Sequence, residues 1–69
     1  MTREERLSLA STAMDKATQL ARDAEFHARS SESRQRAQPL AAAGALWADI
    51  ARAHTDIARL LPETESADA

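Results

Sequence analysis

Alanines in the first half of this chain recur at the spacing of a single helix face. They follow one another at intervals of three and four residues: Ala10, Ala13, Ala17, Ala21, Ala24 and Ala28. Residues at this spacing lie on one side of an α-helix, where small side chains allow a second helix to approach closely. The pattern therefore predicts a long helix that packs against another helix.

The first helix is predicted to begin after Thr2. Thr2 and Glu5 have the spacing of a capping box, in which both side chains accept hydrogen bonds from backbone N–H groups at the helix start. The predicted core face holds a heptad pattern for three repeats: Leu7, Ala10, Met14, Ala17, Ala21, Ala24 and Ala28, flanked by Ala13 and Leu20. We expect this helix over about 3–31 and a polar turn over about 32–38.

Pro39 favours a second helix that begins at that residue, because the first helical position needs no backbone N–H. The predicted core of this helix comprises two heptad rows and three residues beside them: Ala43, Ile50 and Ile57; Leu46, Ala53 and Leu60; and Trp47, His54 and Leu61. Alternating acidic and basic residues occupy the opposite face, and Pro62 ends the pattern. We expect the helix over about 39–61 and a disordered acidic tail over 62–69.

Two such helices joined by a short polar turn should form an antiparallel hairpin, with Leu20 opposite the Ile50 region. A chain of 69 residues buries a marginal core, and without cysteine it can form neither disulfides nor thiolate zinc sites. The apolar arc of the second helix is also wider than one partner helix can cover. We expect an all-α antiparallel two-helix hairpin that dimerises into a four-helix bundle. The predicted self-association interface is Leu46, Trp47, Ile50, His54, Ile57 and Leu61.

The two histidines have a structural and a functional interpretation. His54 lies within the apolar arc, where a histidine bonded to a polar neighbour is more common than a metal ligand or proton carrier. His27 falls about 18 Å from His54 along the hairpin at 1.5 Å per residue, so one hairpin cannot bring both to one metal. We expect no metal site and no cofactor, although a site shared between subunits stays open.

Phe26 projects away from the alanine face, among Arg22 and Arg29. It is either an ordinary exposed aromatic residue or, with these two arginines, a contact for a protein partner. The predicted turn is mildly basic because of Arg29, Arg34 and Arg36, which makes a nucleic-acid contact the alternative to a solvated loop. Three arginines fall short of the usual basic footprint, and the net charge of −2 also disfavours nucleic acid as a partner.

Catalytic motifs are missing from the sequence, which has a single glycine and neither a phosphate-binding loop nor an HExxH motif. We expect a non-enzymatic hairpin that self-associates and acts as a protein-interaction or regulatory module. The alternative is an accessory nucleic-acid-binding or transcription-associated protein that uses the basic turn of a dimer. No signal-peptide pattern or long apolar run occurs, so we expect a cytoplasmic protein without membrane contact. One lysine beside eight arginines, with abundant alanine, is typical of GC-rich bacterial genomes.

Overall fold

Two long α-helices make up most of the computed structural model, which describes residues 1–62. Helix α1 spans Arg3–Ala28, a 3-10 turn spans Arg34–Arg36, and helix α2 spans Ala37–Arg59. The two helices pack against each other as a hairpin, and no strand occurs within residues 1–62. The predicted all-α fold with two packed helices is therefore confirmed. Of the predicted tail over 62–69, all but Pro62 lies outside the described residues.

The capping box predicted at the start of α1 is present. The Thr2 hydroxyl accepts a hydrogen bond of 3.0 Å from the Glu5 backbone N–H, and the Glu5 carboxylate accepts one of 3.0 Å from the Thr2 N–H. These bonds satisfy donors that a helix start otherwise leaves without partners. Because the backbone and hydroxyl of Thr2 bond to the ionised carboxylate, the pKa of Glu5 lies below its usual value.

Both inner helix ends lie earlier in the chain than the sequence predicts. Helix α1 ends at Ala28 rather than near residue 31, and α2 begins at Ala37 rather than at Pro39. Pro39 thus occupies the third position of α2, which it tolerates because the first helical N–H groups have no carbonyl partner within the helix. A hydrogen bond of 2.7 Å between His27 Nδ1 and Ser33 Oγ fastens the connection to the end of α1.

The seam between the helices is built from small residues. The buried residues of the two helices are Ala10, Ala13, Ala17, Ala24, Gly44, Ala51 and Ala58. On α1 the predicted core face is confirmed in part, because all four buried residues, Ala10, Ala13, Ala17 and Ala24, belong to the predicted set. Leu7, Met14 and Ala21, which were also predicted for this face, are exposed. The contact face is rotated toward Ala13, which places alanine rather than the larger side chains against α2.

The predicted core of α2 was wrong in its rotation. Gly44, Ala51 and Ala58 form the buried row, whereas Ile50 and Ile57, predicted to lie in the core, are exposed. Trp47, His54 and Leu61, predicted to lie beside the core, are half-buried at the seam, as is Leu40. Small side chains on both helices allow the backbones to approach closely, so small residues rather than large ones fill the contact.

The register of the hairpin differs from the predicted one by more than a helical turn. A Cβ placed on Gly44 would lie 3.4 Å from Leu20 Cβ and 3.5 Å from the Ala17 carbonyl oxygen. Leu20 therefore faces Gly44 and not the Ile50 region. The shift follows from the helix ends, since α1 stops and α2 starts earlier than predicted.

We expect Gly44→Ala to raise the free energy of unfolding by about 0.5–1 kcal/mol. Alanine is the better helix former, and it reduces the conformational entropy of the unfolded chain. The added methyl group would meet its neighbours at 3.4–3.7 Å, which is ordinary contact. Urea unfolding monitored by circular dichroism measures the change. Gly44→Leu is the matched control, and we expect it to lower stability by overfilling the seam. A loss of stability in Gly44→Ala would contradict this interpretation of the seam.

Candidate interaction surface

Large aliphatic side chains line one exposed face of α2. The exposed fractions are 64% for Leu46, 41% for Ile50, 38% for Ile57 and 86% for Leu60. With two alanines they form a row at intervals of three and four residues, called here the apolar stripe: Ala43, Leu46, Ile50, Ala53, Ile57 and Leu60. This spacing is that of a coiled-coil contact row. The stripe lies beside the seam, so α1 does not cover it.

Alternating charges border the apolar stripe. Arg52 Nη1 lies 2.9 Å from the Asp49 carboxylate, and Arg59 Nη1 lies 3.6 Å from that of Asp56. All four side chains are mostly exposed, so each pair adds little to the stability of the monomer. Their placement gives the stripe a polar edge of balanced charge, as at the rim of many protein interfaces.

The structure separates the six residues predicted for self-association into two sets. Leu46, Ile50 and Ile57 belong to the apolar stripe and are exposed. Trp47, His54 and Leu61 are half-buried. Lys16 Nζ of α1 lies 5.5 Å from the centroid of the Trp47 ring, in the range of a cation–π contact. Trp47 thus contributes to the contact between the two helices of one chain.

His54 bridges the two helices through Arg6. The distance between Arg6 Nη1 and His54 Nδ1 is 3.1 Å. A guanidinium group only donates hydrogen bonds, so Nδ1 of the imidazole accepts and the ring proton lies on Nε2. This contact joins the start of α1 to the end of α2 and gives His54 a structural role. Within residues 1–62, no three His, Asp or Glu side chains cluster as metal ligands would.

Phe26 is 70% exposed and lies outside the seam. Its ring packs edge to face on His27, with the two centroids 5.3 Å apart. Arg22, Glu25 and Arg29 line a shallow concavity with it, and Arg29 forms an ion pair of 2.5 Å with Glu25. An aromatic ring between two arginines is a composition enriched in protein interfaces.

The three arginines predicted for nucleic-acid contact differ in their positions and in their charged neighbours. Arg34 and Arg36 lie exposed in the 3-10 turn, while the charge of Arg29 is balanced by Glu25. Arg34 and Arg36, in the same connection as Glu32, are a weaker electrostatic footprint for a phosphate backbone than the three arginines predicted from sequence.

A second apolar surface, which the sequence reasoning missed, lies on the other side of the seam. It is a groove, called here the alanine groove, lined by Met14 and by small side chains of both helices: Ala17, Thr18, Ala21, Ala24, Ala41, Gly44, Ala45 and Ala48. The repeated small residues of 41–48 are the signal that could have indicated it. The groove has no large aliphatic side chains apart from Met14, which distinguishes it from the apolar stripe.

In the part of the chain that the structure describes, no helix is both long and apolar enough to cross a membrane. No protein-family model matches the chain, and comparisons with curated proteins and with solved structures find no similar protein.

Proposed function

We propose that this chain is a small non-enzymatic helical-hairpin protein that self-associates through the apolar stripe and acts as a protein-interaction or regulatory module. The observation that carries the proposal is the exposure of Leu46, Ile50, Ile57 and Leu60 along one face of α2. Contiguous exposed apolar surface on a monomer marks interaction sites, because covering it gains about 25 cal/mol per Å².

The composition of the seam is a second argument for self-association. Its fully buried side chains are all alanine, so each contributes little apolar area to the stability of the hairpin. A two-helix contact of this kind barely offsets the conformational entropy of ordering the chain. Association that binds only the folded hairpin would add stability by mass action.

The carboxylates of α2 support a non-enzymatic role. Asp49 and Asp56 are exposed and paired with arginines, whereas acid–base catalysts lie in a cleft within hydrogen-bond reach of a substrate. The apolar stripe and its charged edge are instead suited to binding another helix.

Sedimentation equilibrium of the unmodified chain tests the proposal. We expect a dimer at micromolar concentrations, with a helical circular dichroism signal that falls on dilution as the dimer dissociates. A folded monomer across the same concentrations would refute self-association.

A protein partner beyond the second copy is tested at Phe26. We expect Phe26→Ser to leave the thermal midpoint nearly unchanged, because the ring is exposed and contributes little to the fold. Co-purification of the partner from the native cell, compared by quantitative mass spectrometry, should fall by a factor corresponding to about 1 kcal/mol or more. Equal recovery of every co-purifying protein would show that Phe26 is an ordinary exposed residue.

A further inference from the structure

We infer that the apolar stripe is covered by the stripe of a second copy with the two α2 helices antiparallel, which places the α1 helices side by side. This inference rests on the proposed self-association through the apolar stripe and adds the relative direction of the two copies. The stripe has the spacing of a coiled-coil row over the length of α2 from Ala43 to Leu60. A second copy supplies a partner row of the same length and spacing.

The order of large and small residues in the stripe favours the antiparallel direction. Reading from Ala43, the stripe runs alanine, leucine, isoleucine, alanine, isoleucine, leucine. In an antiparallel pair, Ala43 lies opposite Leu60 and Ile50 lies opposite Ala53, so small residues meet large ones. A parallel pair would place alanine against alanine in two layers and leave them underfilled. Because interiors pack densely, the antiparallel pairing fills the contact more evenly.

The charges along the edge of the stripe also fit a reversed second copy. Asp49, Arg52, Asp56 and Arg59 alternate in sign along α2. In the register that sets Ala43 opposite Leu60, Asp49 of each copy lies about 3 Å along the helix axis from the level of Arg52 of the other copy, within reach of the arginine side chain. Two such Asp49–Arg52 contacts beside the two-fold axis favour this direction more than they add affinity.

The position of α1 relative to the stripe determines the shape of the dimer. In an antiparallel contact, equivalent flanks of the two rows lie next to each other. Both α1 helices therefore lie on the same side of the α2 pair. This arrangement is a four-helix bundle in which Lys16 of α1, which contacts Trp47, lies on the side facing the other copy.

Single cysteines test the surface and the direction separately, since the chain has no cysteine of its own. Ala53→Cys places a thiol on the stripe near the proposed two-fold axis. We expect a short bismaleimide to cross-link it to its counterpart on the order of a hundredfold faster than in urea, because association raises the effective thiol concentration. Ala45→Cys, in the alanine groove, is the matched control and should show no such acceleration.

Ala42→Cys tests the direction without changing the stripe. A nitroxide there should lie about 30 Å from its counterpart in the antiparallel dimer, by pulsed electron paramagnetic resonance, because the two sites lie near opposite ends of the contact at 1.5 Å per residue. A separation below about 20 Å, which helices packed side by side in parallel would give, overturns the direction.

The outcomes distinguish this inference from the proposed function. If Ala53→Cys cross-links faster than Ala45→Cys but the distance at residue 42 is short, the stripe is the interface and the antiparallel direction fails alone. If sedimentation shows a dimer but Ala53→Cys does not cross-link faster than Ala45→Cys, association uses another surface, and both the stripe of the proposed function and this inference fail. If the unmodified chain sediments as a monomer, both fail. Accelerated cross-linking at residue 53 together with the long distance at residue 42 supports both.

Discussion

We expect Ile50→Asp to convert the proposed dimer to a monomer at concentrations at which we expect the unmodified chain to associate. Ile50 lies in the middle of the apolar stripe, so the aspartate would bring an unpaired charge into the contact at a cost of several kcal/mol. Since every 1.4 kcal/mol changes an affinity about tenfold, we expect the dissociation constant to rise by about a hundredfold or more. Sedimentation equilibrium measures this change, and circular dichroism shows whether the free hairpin stays helical or unfolds.

Ala45→Asp is the control for that substitution. It introduces the same residue into the same helix, at an exposed position in the alanine groove and outside the stripe. We expect this variant to remain a dimer, with only the small loss of stability that aspartate causes inside a helix. Unchanged association of Ile50→Asp, or equal weakening by both variants, would contradict an interface on the stripe.

The helices themselves could be predicted because their signals are local. Thr2 and Glu5 form the capping box that their spacing indicates, and the uninterrupted alanine pattern marks α1. The inner helix ends could not be placed as well, because proline is tolerated at any position of the first turn. Pro39 therefore marked the start of α2 only to within that turn.

The rotation of α2 could not be predicted, because two heptad rows overlap in its sequence. One row contains Gly44, Ala51 and Ala58, and the other contains Ile50 and Ile57. Hydrophobicity favours the second row for the core. The structure buries the first row, because helices with small residues on both faces approach closely, and this shape match depends on the partner rather than on either helix alone.

The same dependence on register limited the prediction of the candidate site. The exposure of Phe26 follows from the helical wheel of α1 alone, and the structure places it outside the seam. The bond between Arg6 and His54 requires two residues on different helices to lie level with each other. The predicted register was wrong by more than one helical turn, so it did not place Arg6 and His54 level with each other.

Ala13→Leu is expected to destabilise the hairpin itself. Ala13 is 2% exposed in a seam of alanine and glycine, so the larger side chain must push the helices apart. Overfilling a packed contact costs about 1–3 kcal/mol, which is a large part of the stability of so small a fold. We expect a lower thermal midpoint and weaker helical signal by circular dichroism.

Ala42→Leu is the matched control, because it makes the same change at an exposed position of α2. It should leave the thermal midpoint close to that of the unmodified chain. An unchanged midpoint for Ala13→Leu would show that the seam has room for larger side chains. Ile50→Asp and Ala13→Leu act at different levels, since Ile50→Asp weakens the contact between chains whereas Ala13→Leu weakens the hairpin that presents the stripe. Dimerisation should therefore fall in both variants, and at equal protein concentration the helical content should be lower in Ala13→Leu than in Ile50→Asp, because only Ala13→Leu overfills the seam.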